Sequence, residues 1–294
     1  MTRPSPGKLL RDSAAKSTIQ VPGAYNALAG RLIERAGFKA AYLSGGAFSA
    51  GALAVPDIGL FTLTELAQQT ARLARSISIP VMVDADTGFG GAMQVERTIE
   101  ELERAGAAAI QLEDQPFSKR CGHLAGKSLI DADEMCAKLR AASSARNDKN
   151  LVILARTDAR GVTNFDDAAD RAKRYLDSGA DWVFPEALAT ADEFAKFAKA
   201  VRAPLVANMT EFGKSPLLTL TELSQMGYAA VIYPVTLLRI AMKSVEKALN
   251  VIAAEGTQAT LVDQMQTRQE LYDLIEYKTY EERDRAYSTG KGPS

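Results

Sequence analysis

Short apolar runs alternate with amphipathic segments from residue 18 to about residue 255. The apolar runs have the length and composition of buried strands, whereas the segments between them carry apolar residues at helical spacing among charges. The predicted strands are Ile19–Val21, Ala40–Leu43, Val81–Val83, Ala108–Leu112, Leu151–Ala155, Trp182–Phe184, Leu205–Ala207 and Ala230–Tyr233, and the predicted helices include Leu63–Ile77, Met93–Ala105, Asp133–Ala145, Asp166–Asp177 and Asp192–Val201. This alternation predicts a parallel β/α architecture.

A weak internal repeat supports that architecture. Gly37, Gly106, Gly179 and Gly227 each stand where a predicted helix stops, just before the second, fourth, sixth or eighth strand. About eight such units without a Gly/Ser-rich linker predict an α/β fold of one closed (β/α)₈ TIM-type barrel. A doubly wound open sheet is the alternative, but it calls for a glycine-rich phosphate-binding turn after the first strand, which the sequence lacks.

The end of the chain departs from the repeat. Residues 257–280 follow the last barrel helix and place Leu261, Met265, Tyr272 and Ile275 on one helical face, with Arg268 in its middle. An apolar face outside a complete barrel must be buried on something, and a neighbouring subunit is a natural candidate. We therefore predict one barrel domain over residues 1–294, in which residues 257–294 form a C-terminal helical extension.

Charge and composition narrow the partners. With 35 basic and 36 acidic residues the formal net charge is −1, so no global field recruits nucleic acid or an anionic membrane, and a small-molecule partner is favoured. No run reaches membrane-spanning length and the start lacks an apolar signal core, which predicts a cytoplasmic protein. Two cysteines suit a reduced compartment, and a single histidine argues against a histidine-based zinc site.

The densest chemistry lies in residues 118–127. This stretch holds the only histidine, one of the two cysteines, three cations and two glycines: Lys119, Arg120, Cys121, Gly122, His123, Gly126 and Lys127. Because positive neighbours favour a thiolate, Cys121 is a candidate acid or nucleophile. The glycines let the loop fold tightly over a ligand or move as a lid. A solvated basic loop is the alternative, but the concentration of scarce residue types favours a working site.

Polar groups follow most predicted strands, where barrels place their sites. Asp84 and Asp86 come directly after a strand at a spacing of two, which points both carboxylates to one side, and Glu113 ends the next strand. Such hard oxygen donors suit Mg²⁺, and Mn²⁺ also fits. The alternative is that these aspartates cap the following helix or pair with lysines.

Three arginines occupy locally unfavourable positions. Arg156 ends an apolar strand, Arg239 stands in the opening turn of the last long helix, and Arg268 interrupts an apolar stripe. Since arginine binds carboxylates bidentately, these positions indicate a polyanionic ligand, although each arginine could equally be paired at the surface. The run Ser44-Gly45-Gly46 can turn backbone N–H groups toward a carboxylate, or form an ordinary loop.

Together these segments resemble the isocitrate lyase and phosphoenolpyruvate mutase superfamily, and within it the branch that cleaves 2-methylisocitrate. The resemblance covers nearly the whole chain, and its most specific motif is Lys119-Arg120-Cys121-Gly122-His123. The other motifs that carry it are Tyr42–Gly46, Pro56–Gly59, Val83–Gly90, Glu113–Gln115, Ala155–Ala159, Phe184–Ala187, Ala207–Gly213 and Gln266–Arg268.

The resemblance implies a barrel whose C-terminal helices are exchanged between paired subunits of a homotetramer, a dimer of dimers. It implies Mg²⁺ held by Asp84 and Asp86, with Asp57 as a weaker contact. It also implies that a di- or tricarboxylate substrate contacts most strand ends, the C-terminal region and residues 118–127, here called the cysteine loop. The implied contacts are Ser44, Gly45, Gly46, Cys121, Gly122, Arg156, Glu186, Asn208, Met209, Thr210, Arg239 and Arg268.

The implied reaction is a retro-aldol cleavage of 2-methylisocitrate to pyruvate and succinate, as in propionate catabolism through the methylcitrate cycle. In it Cys121 gives its proton to the succinate half and Tyr42 is a candidate base for the hydroxyl. The loop cations Lys119, Arg120 and His123 face the charge that grows on the succinate half.

The chain departs from this pattern at Leu124-Ala125, where many methylisocitrate lyases carry Arg-Pro. Superfamily members that hydrolyse oxaloacetate or cleave dimethylmalate can carry an apolar residue there, so these activities are alternatives, together with isocitrate cleavage. A non-catalytic barrel that binds dicarboxylates is a third interpretation, from a different functional class.

Overall fold

The computed structural model of the chain describes residues 4–120, 122 and 126–290. Its strands are β1 (Ile19–Pro22), β2 (Ala41–Leu43), β3 (Val81–Asp84), β4 (Ala109–Glu113), β5 (Val152–Thr157), β6 (Trp182–Pro185), β7 (Val206–Asn208) and β8 (Ala230–Tyr233). Its helices are α1 (Pro6–Lys16), α2 (Ala27–Arg35), α3 (Gly45–Leu53), α4 (Leu63–Ser76), α5 (Ala92–Arg104), α6 (Ala132–Ala145), α7 (Ala159–Val162), α8 (Phe165–Asp177), α9 (Ala191–Ala200), α10 (Leu220–Met226), α11 (Thr236–Glu255), α12 (Arg268–Leu274) and α13 (Tyr277–Ser288).

The strands pair in parallel and close into a barrel. Strands β2 to β6 pair in sequence order, and β1, β8 and β7 form a second sheet. Two isolated parallel bridges, Gly23 to Tyr42 and Val183 to Leu205, join the two sheets along both edges. The predicted (β/α)₈ barrel is therefore confirmed, and each predicted strand and helix lies within a few residues of an observed one.

The glycine repeat has a common backbone geometry. Gly37, Gly106, Gly179 and Gly227 have φ angles of 89°, 98°, 104° and 91°, in the left-handed region that residues with a side chain rarely adopt. Each ends a helix and turns the chain into the next strand. The repeat thus sets where helix gives way to strand in the even-numbered units.

One end of the barrel is sealed by α1, a helix that the sequence pattern did not predict. Leu10 of α1 is fully buried and packs with the strand residues of the barrel interior. Arg11 donates to the Asn150 carbonyl at 2.8 Å and pairs with Asp181 at 3.1 Å, near the amino ends of β5 and β6. Gly7 lies so close to this segment that a Cβ would stand 2.4 Å from the Asn150 oxygen. The polar strand ends are at the opposite rim.

The chain folds as two compact units, Met1–Leu238 and Arg239–Ser294. The first unit holds the barrel. The second holds most of α11, a 3₁₀-helix (Ala259–Gln264), α12 and α13. Our prediction that the C-terminal extension begins at residue 257 stays a prediction, since α11 runs on from residue 236 into the second unit.

The expected continuous helical face over residues 257–280 is wrong. Thr267 starts α12 with a capping box, in which its hydroxyl accepts from the Glu270 N–H and its own N–H donates to the Glu270 carboxylate. Glu276 then adopts a left-handed φ of 58° before α13. Leu261 is buried whereas Met265 is 45% exposed, so the two do not share a face.

In the ranges that the structure describes, every helix is too short or too polar to cross a lipid bilayer.

Candidate active site

The polar ends of neighbouring strands meet at the carboxyl rim of the barrel. Strand register places Asp84 of β3 beside Gln111 of β4, and Glu113 of β4 beside Arg156 of β5. Glu186 directly follows β6. All five residues are buried, at 7% exposure or less. The predicted gathering of functional groups at the strand ends is what parallel pairing produces here.

Asp57, Asp84 and Asp86 form an acidic cluster at this rim. The Lys119 ammonium lies 2.5 Å from Asp57 Oδ1 and 2.6 Å from Asp86 Oδ1. Asp84 accepts from the Gly45 and Asp86 backbone N–H groups, each at 3.2 Å. A lysine that is almost fully buried thus binds two carboxylates together, next to a third.

The backbone brings the N-terminus of α3 to the same place. Ser44 caps α3 by accepting from the Ala47 N–H at 3.2 Å, so Gly45 and Gly46 form the first turn of a helix rather than a free loop. A Cβ on Gly45 would lie 3.0 Å from Asp86 Oδ1, and one on Gly46 would lie 3.1 Å from Asp57 Oδ2. The two glycines therefore let the positive end of α3 approach the acidic cluster.

Asp86 is the most strained and most perturbed member of the cluster. Its φ of 49° is left-handed, which costs a residue with a side chain on the order of 1–3 kcal/mol. The pKa of Asp86 is raised to about 7, mainly by burial, with smaller raising effects of Asp84 and Asp57 and a lowering effect of Lys119. The site thus holds more negative charge than Lys119 neutralises.

This cluster fits a divalent cation. Among the described residues no three His, Cys, Asp or Glu side chains form a group that could hold a metal ion by themselves. Mg²⁺, however, takes one or two carboxylates and completes its shell with water and substrate oxygens. Asp86 Oδ1 is held by Lys119, whereas Oδ2 is buried and has no hydrogen-bond partner among the described residues. Such oxygens are the donors that a cation of this kind prefers.

Arg156 lies among three carboxylates. Its guanidinium binds Asp158 in a bidentate pair at 2.9 and 3.1 Å, and lies 3.3 Å from both Glu113 and Glu186. Desolvation lowers the pKa of Arg156, but these carboxylates outweigh it and raise the pKa well above its ordinary value. Burial raises the pKa of Glu113 well above its ordinary value. Arg156 is therefore a permanent cation at the strand ends.

The cysteine loop reaches this site at both of its described ends. Lys127 donates to Asp158 at 2.6 Å and to the Gly122 carbonyl. A Cβ on Gly122 would lie 2.2 Å from Arg156 Nη2 and 2.7 Å from Glu186 Oε2, so this backbone packs directly on the two side chains. Only glycine fits at this distance.

Two predicted catalytic residues, Cys121 and His123, lie outside the described residues. Arg120 is exposed at the loop edge, and its backbone N–H and carbonyl are both held by the Gln115 side chain, at 3.0 and 2.9 Å. The structure therefore brings Lys119 and Gly122 into the site, and Gln115 holds the Arg120 backbone beside it.

The remaining predicted substrate contacts belong partly to the barrel unit and partly to the second unit. Asn208 donates to Glu186 at 3.3 Å, inside the site. Met209 is buried and its sulfur accepts from the Leu218 N–H, so its side chain serves packing, and Thr210 follows it at partial exposure. Arg239 and Arg268 belong to the second unit, in the first turn of α11 and at the start of α12. Their part in binding stays a prediction.

Sequence reasoning gave no individual role to three side chains that hold the site together: Gln111, Asp158 and Lys127. Gln111 links Tyr42 to Asp84, whereas Asp158 joins Arg156 to Lys127. The signal for Gln111 was an amide inside the apolar run of β4, because a buried amide requires partners. Asp158 and Lys127 stood within recognised motifs, but their pairing depends on the folded chain.

Tyr42 is buried and reaches Asp84 of the acidic cluster through Gln111. Burial, followed by the charge of Asp84, raises the pKa of Tyr42 well above its ordinary value. Its hydroxyl donates to Gln111 Oε1 at 2.8 Å. The geometry therefore favours a neutral phenol at this position.

Comparisons with known proteins bear on the same residues. The sequence family described as phosphoenolpyruvate phosphomutase matches residues 10–253. The chain is 53% identical to a 2-methylisocitrate lyase of Aeropyrum pernix, over 95% of this chain and 90% of that protein. A crystal structure of 2,3-dimethylmalate lyase has a TM-score of 0.91 at 32% identity, covering 97% of this chain and 96% of that one. Phosphonopyruvate hydrolase in complex with oxalate and Mg²⁺ has a TM-score of 0.88 at 28% identity, covering 97% and 99%.

We expect the affinity for Mn²⁺, a spectroscopic substitute for Mg²⁺, to fall as the pH is lowered below about 7. Burial raises the pKa of Asp86 to about 7, and a protonated carboxyl does not bind a cation, so each pH unit below that value weakens binding by up to about tenfold. Electron paramagnetic resonance of free Mn²⁺ between about pH 6 and about pH 8 measures this. The Asp86→Asn variant is the control. It should bind Mn²⁺ weakly, and its affinity should change less with pH. A Mn²⁺ affinity that stays constant across this pH range would contradict the prediction that Asp86 binds the cation.

Proposed function

Since the chain belongs to the phosphoenolpyruvate phosphomutase family, we propose that it is a carbon–carbon lyase that cleaves 2-methylisocitrate to pyruvate and succinate. The similarity over nearly the whole chain to a named 2-methylisocitrate lyase carries this proposal. The motif Lys119-Arg120-Cys121-Gly122-His123 and the acidic cluster of Asp57, Asp84 and Asp86 support it.

In this proposal Asp84 and Asp86, with Asp57 as a weaker contact, hold Mg²⁺ or Mn²⁺. When bound, such a cation supplies a Lewis acid that lowers the cost of deprotonating a substrate hydroxyl. The carboxylates of the chain supply the charge that holds the cation, and Lys119 neutralises part of that charge by contacting Asp57 and Asp86.

The substrate is a trianion, so its carboxylates require cations and N–H donors. We propose that Arg156, Asn208, Thr210 and the backbone of Met209 bind it at the strand ends, beside Glu186. Ser44, Gly45 and Gly46 supply the N-terminal turn of α3, whose N–H groups suit a carboxylate. We also propose Arg239 and Arg268 as substrate contacts, because the resemblance implies them.

Cleavage leaves the electrons of the broken carbon–carbon bond on the succinate half as a carboxylate-enolate. We propose that Cys121 gives its proton to this carbon, and that Gly122 contacts the same half through its backbone. The cations Lys119, Arg120 and His123 favour the thiolate that remains. Arg156 faces the charge that grows during the reaction and therefore stabilises the transition state more than the substrate.

A second candidate is cleavage of dimethylmalate or hydrolysis of oxaloacetate. The apolar pair Leu124-Ala125 favours it, because an Arg-Pro pair stands there in many methylisocitrate lyases. The likeness to the 2,3-dimethylmalate lyase structure also supports it.

Turnover of four substrates tests the function. We expect 2-methylisocitrate to be cleaved with the highest kcat/KM, ahead of isocitrate, oxaloacetate and dimethylmalate, in coupled assays for pyruvate, glyoxylate or acetate with Mg²⁺ present. Exhaustive treatment with EDTA should abolish turnover, and added Mg²⁺ should restore it. Cleavage of dimethylmalate or oxaloacetate with the highest kcat/KM would establish the second candidate, and tight dicarboxylate binding without any product would support a non-catalytic barrel.

Replacing the loop cysteine tests its role. We expect Cys121→Ser to keep the fold and to lower kcat by about 10²–10⁴-fold, because serine is a far weaker proton donor than cysteine. Cys136→Ser is the matched control, since Cys136 lies buried on α6 with its sulfur 3.7 Å from the Arg174 carbonyl, and it should leave kcat unchanged. Circular dichroism verifies both folds. A near-normal kcat for Cys121→Ser would remove this thiol from the mechanism.

We also propose that the protein is a homotetramer, a dimer of dimers that exchange their C-terminal helices. Met242, Val245, Leu249 and Ile252 form an apolar stripe along α11 and are each 46–60% exposed. Such a stripe is typical of a subunit contact. Multi-angle light scattering should give the mass of four chains, and Leu249→Glu should lower it. A monomer mass for the unaltered chain would contradict the proposal.

A further inference from the structure

Gln111 is a polar side chain inside a strand that is otherwise apolar at this depth. Its neighbours Ile110 and Leu112 are fully buried, and Gln111 itself is 1% exposed. A buried amide is destabilising unless its donor and its acceptor both find partners. A leucine would fill this position without that cost. The amide therefore requires an explanation in its contacts.

Both ends of the amide are used, and each contacts a group of the candidate active site. The Tyr42 hydroxyl donates to Gln111 Oε1 at 2.8 Å, and Gln111 Nε2 donates to Asp84 Oδ1 at 2.9 Å. Asp84 Oδ1 also accepts from the Asp86 N–H, whereas its Oδ2 accepts from the Gly45 N–H. The Gln111 side chain therefore acts with these two backbone N–H groups to fix the orientation of the Asp84 carboxylate.

The direction of this chain of hydrogen bonds follows from chemistry. An ionised carboxylate only accepts, so the NH₂ end of the amide must face Asp84 and the oxygen end must face Tyr42. A phenol that meets a carbonyl oxygen donates its single proton to it. The lone pairs of the Tyr42 oxygen are then left for a ligand. An ionised Tyr42 would instead place its charge against the Gln111 oxygen.

We propose that Gln111 is a positioning residue of this site, which orients the Asp84 carboxylate and keeps Tyr42 a neutral hydrogen-bond acceptor toward the substrate hydroxyl. The inference rests on the proposed function for the substrate, although not for the contacts with Asp84. It changes the expected role of Tyr42, because a phenol held in this way orients the substrate hydroxyl and does not take its proton as a tyrosinate.

Cation binding tests the link to Asp84 without any assay of turnover. Gln111→Met keeps the volume and removes the donor, and we expect it to weaken Mn²⁺ binding by about 10–100-fold, the usual cost of removing a group that orients a metal ligand. Tyr42→Phe should leave the affinity close to that of the unaltered protein, since the Gln111–Asp84 bond remains. An unchanged affinity in Gln111→Met, or an equal loss in Tyr42→Phe, would overturn the proposal.

Gln69→Met is the matched control. Gln69 is also a buried glutamine, on α4, and donates to the Tyr25 carbonyl at 3.2 Å rather than to a carboxylate of the acidic cluster. Its replacement should leave Mn²⁺ affinity and kcat unchanged. If it weakened the binding of Mn²⁺ as much as Gln111→Met did, the effect would be one of core packing, and the proposal would fail.

A double-mutant cycle on kcat tests the link to Tyr42. If Gln111 acts through Tyr42 and Asp84, the effects of Gln111→Met and Tyr42→Phe are non-additive, so the double variant loses much less than the product of the two single losses. KM should change less than kcat. Fully additive losses would overturn the link. If 2-methylisocitrate proves not to be the substrate, the Mn²⁺ measurements still decide the contact with Asp84.

Gln111→His covers the case in which the methionine variant does not fold. One ring nitrogen donates and the other accepts, so the imidazole can reproduce both contacts. We expect this variant to recover most of the Mn²⁺ affinity and of kcat. A folded Gln111→His variant that shows the full loss of cation binding would overturn the proposal, because a donor would then be present without effect.

Discussion

The organising constraint in this protein is an excess of buried carboxylate at the carboxyl rim of the barrel. In the described part of the chain, the buried Asp86, Glu113, Asp158 and Glu186 and the partly buried Asp57 share the cations of Lys119, Lys127 and Arg156, and the buried Asp84 also interacts electrostatically with Lys119. Burial in a medium of low dielectric constant is the main cause that raises the pKa of Asp86 and of Glu113, and repulsion by the neighbouring carboxylates adds to it. A fold that tolerates such an arrangement gains nothing in stability from it, which is why we interpret it as a binding site for a cation and an anion together.

The barrel tolerates this arrangement because its stability comes from elsewhere. The interior is filled by apolar side chains of all eight strands, and α1 seals the amino-terminal end. The helices pack on the outside through two further apolar clusters. The strained backbone of Asp86 and the repelling carboxylates are therefore carried by a scaffold that does not depend on them.

Sequence reasoning captured most of the barrel and the positions of the site, but not how its groups pair. Strand and helix positions follow from periodicity, and glycines with left-handed φ mark the boundaries, so both could be read from the residues in order. The pairing of Glu113 with Arg156 depends on strand register, and that of Lys127 with Asp158 depends on where the loop folds; neither distance is encoded in spacing. The broken C-terminal segment was readable, since Thr267 and Glu270 form a capping-box pattern that should have outweighed the apolar stripe.

The carboxylate of Asp158 accepts from the strand-end arginine, Arg156, and from the loop lysine, Lys127. Two cations that share one anion cannot be substituted independently, because the loss of either leaves the other over-neutralised or displaced. Substitutions at positions 127, 156 and 158 are therefore expected to be epistatic to one another. In a library of variants, or in natural divergence of this scaffold, a change at one of them alters which residues the other two can accept.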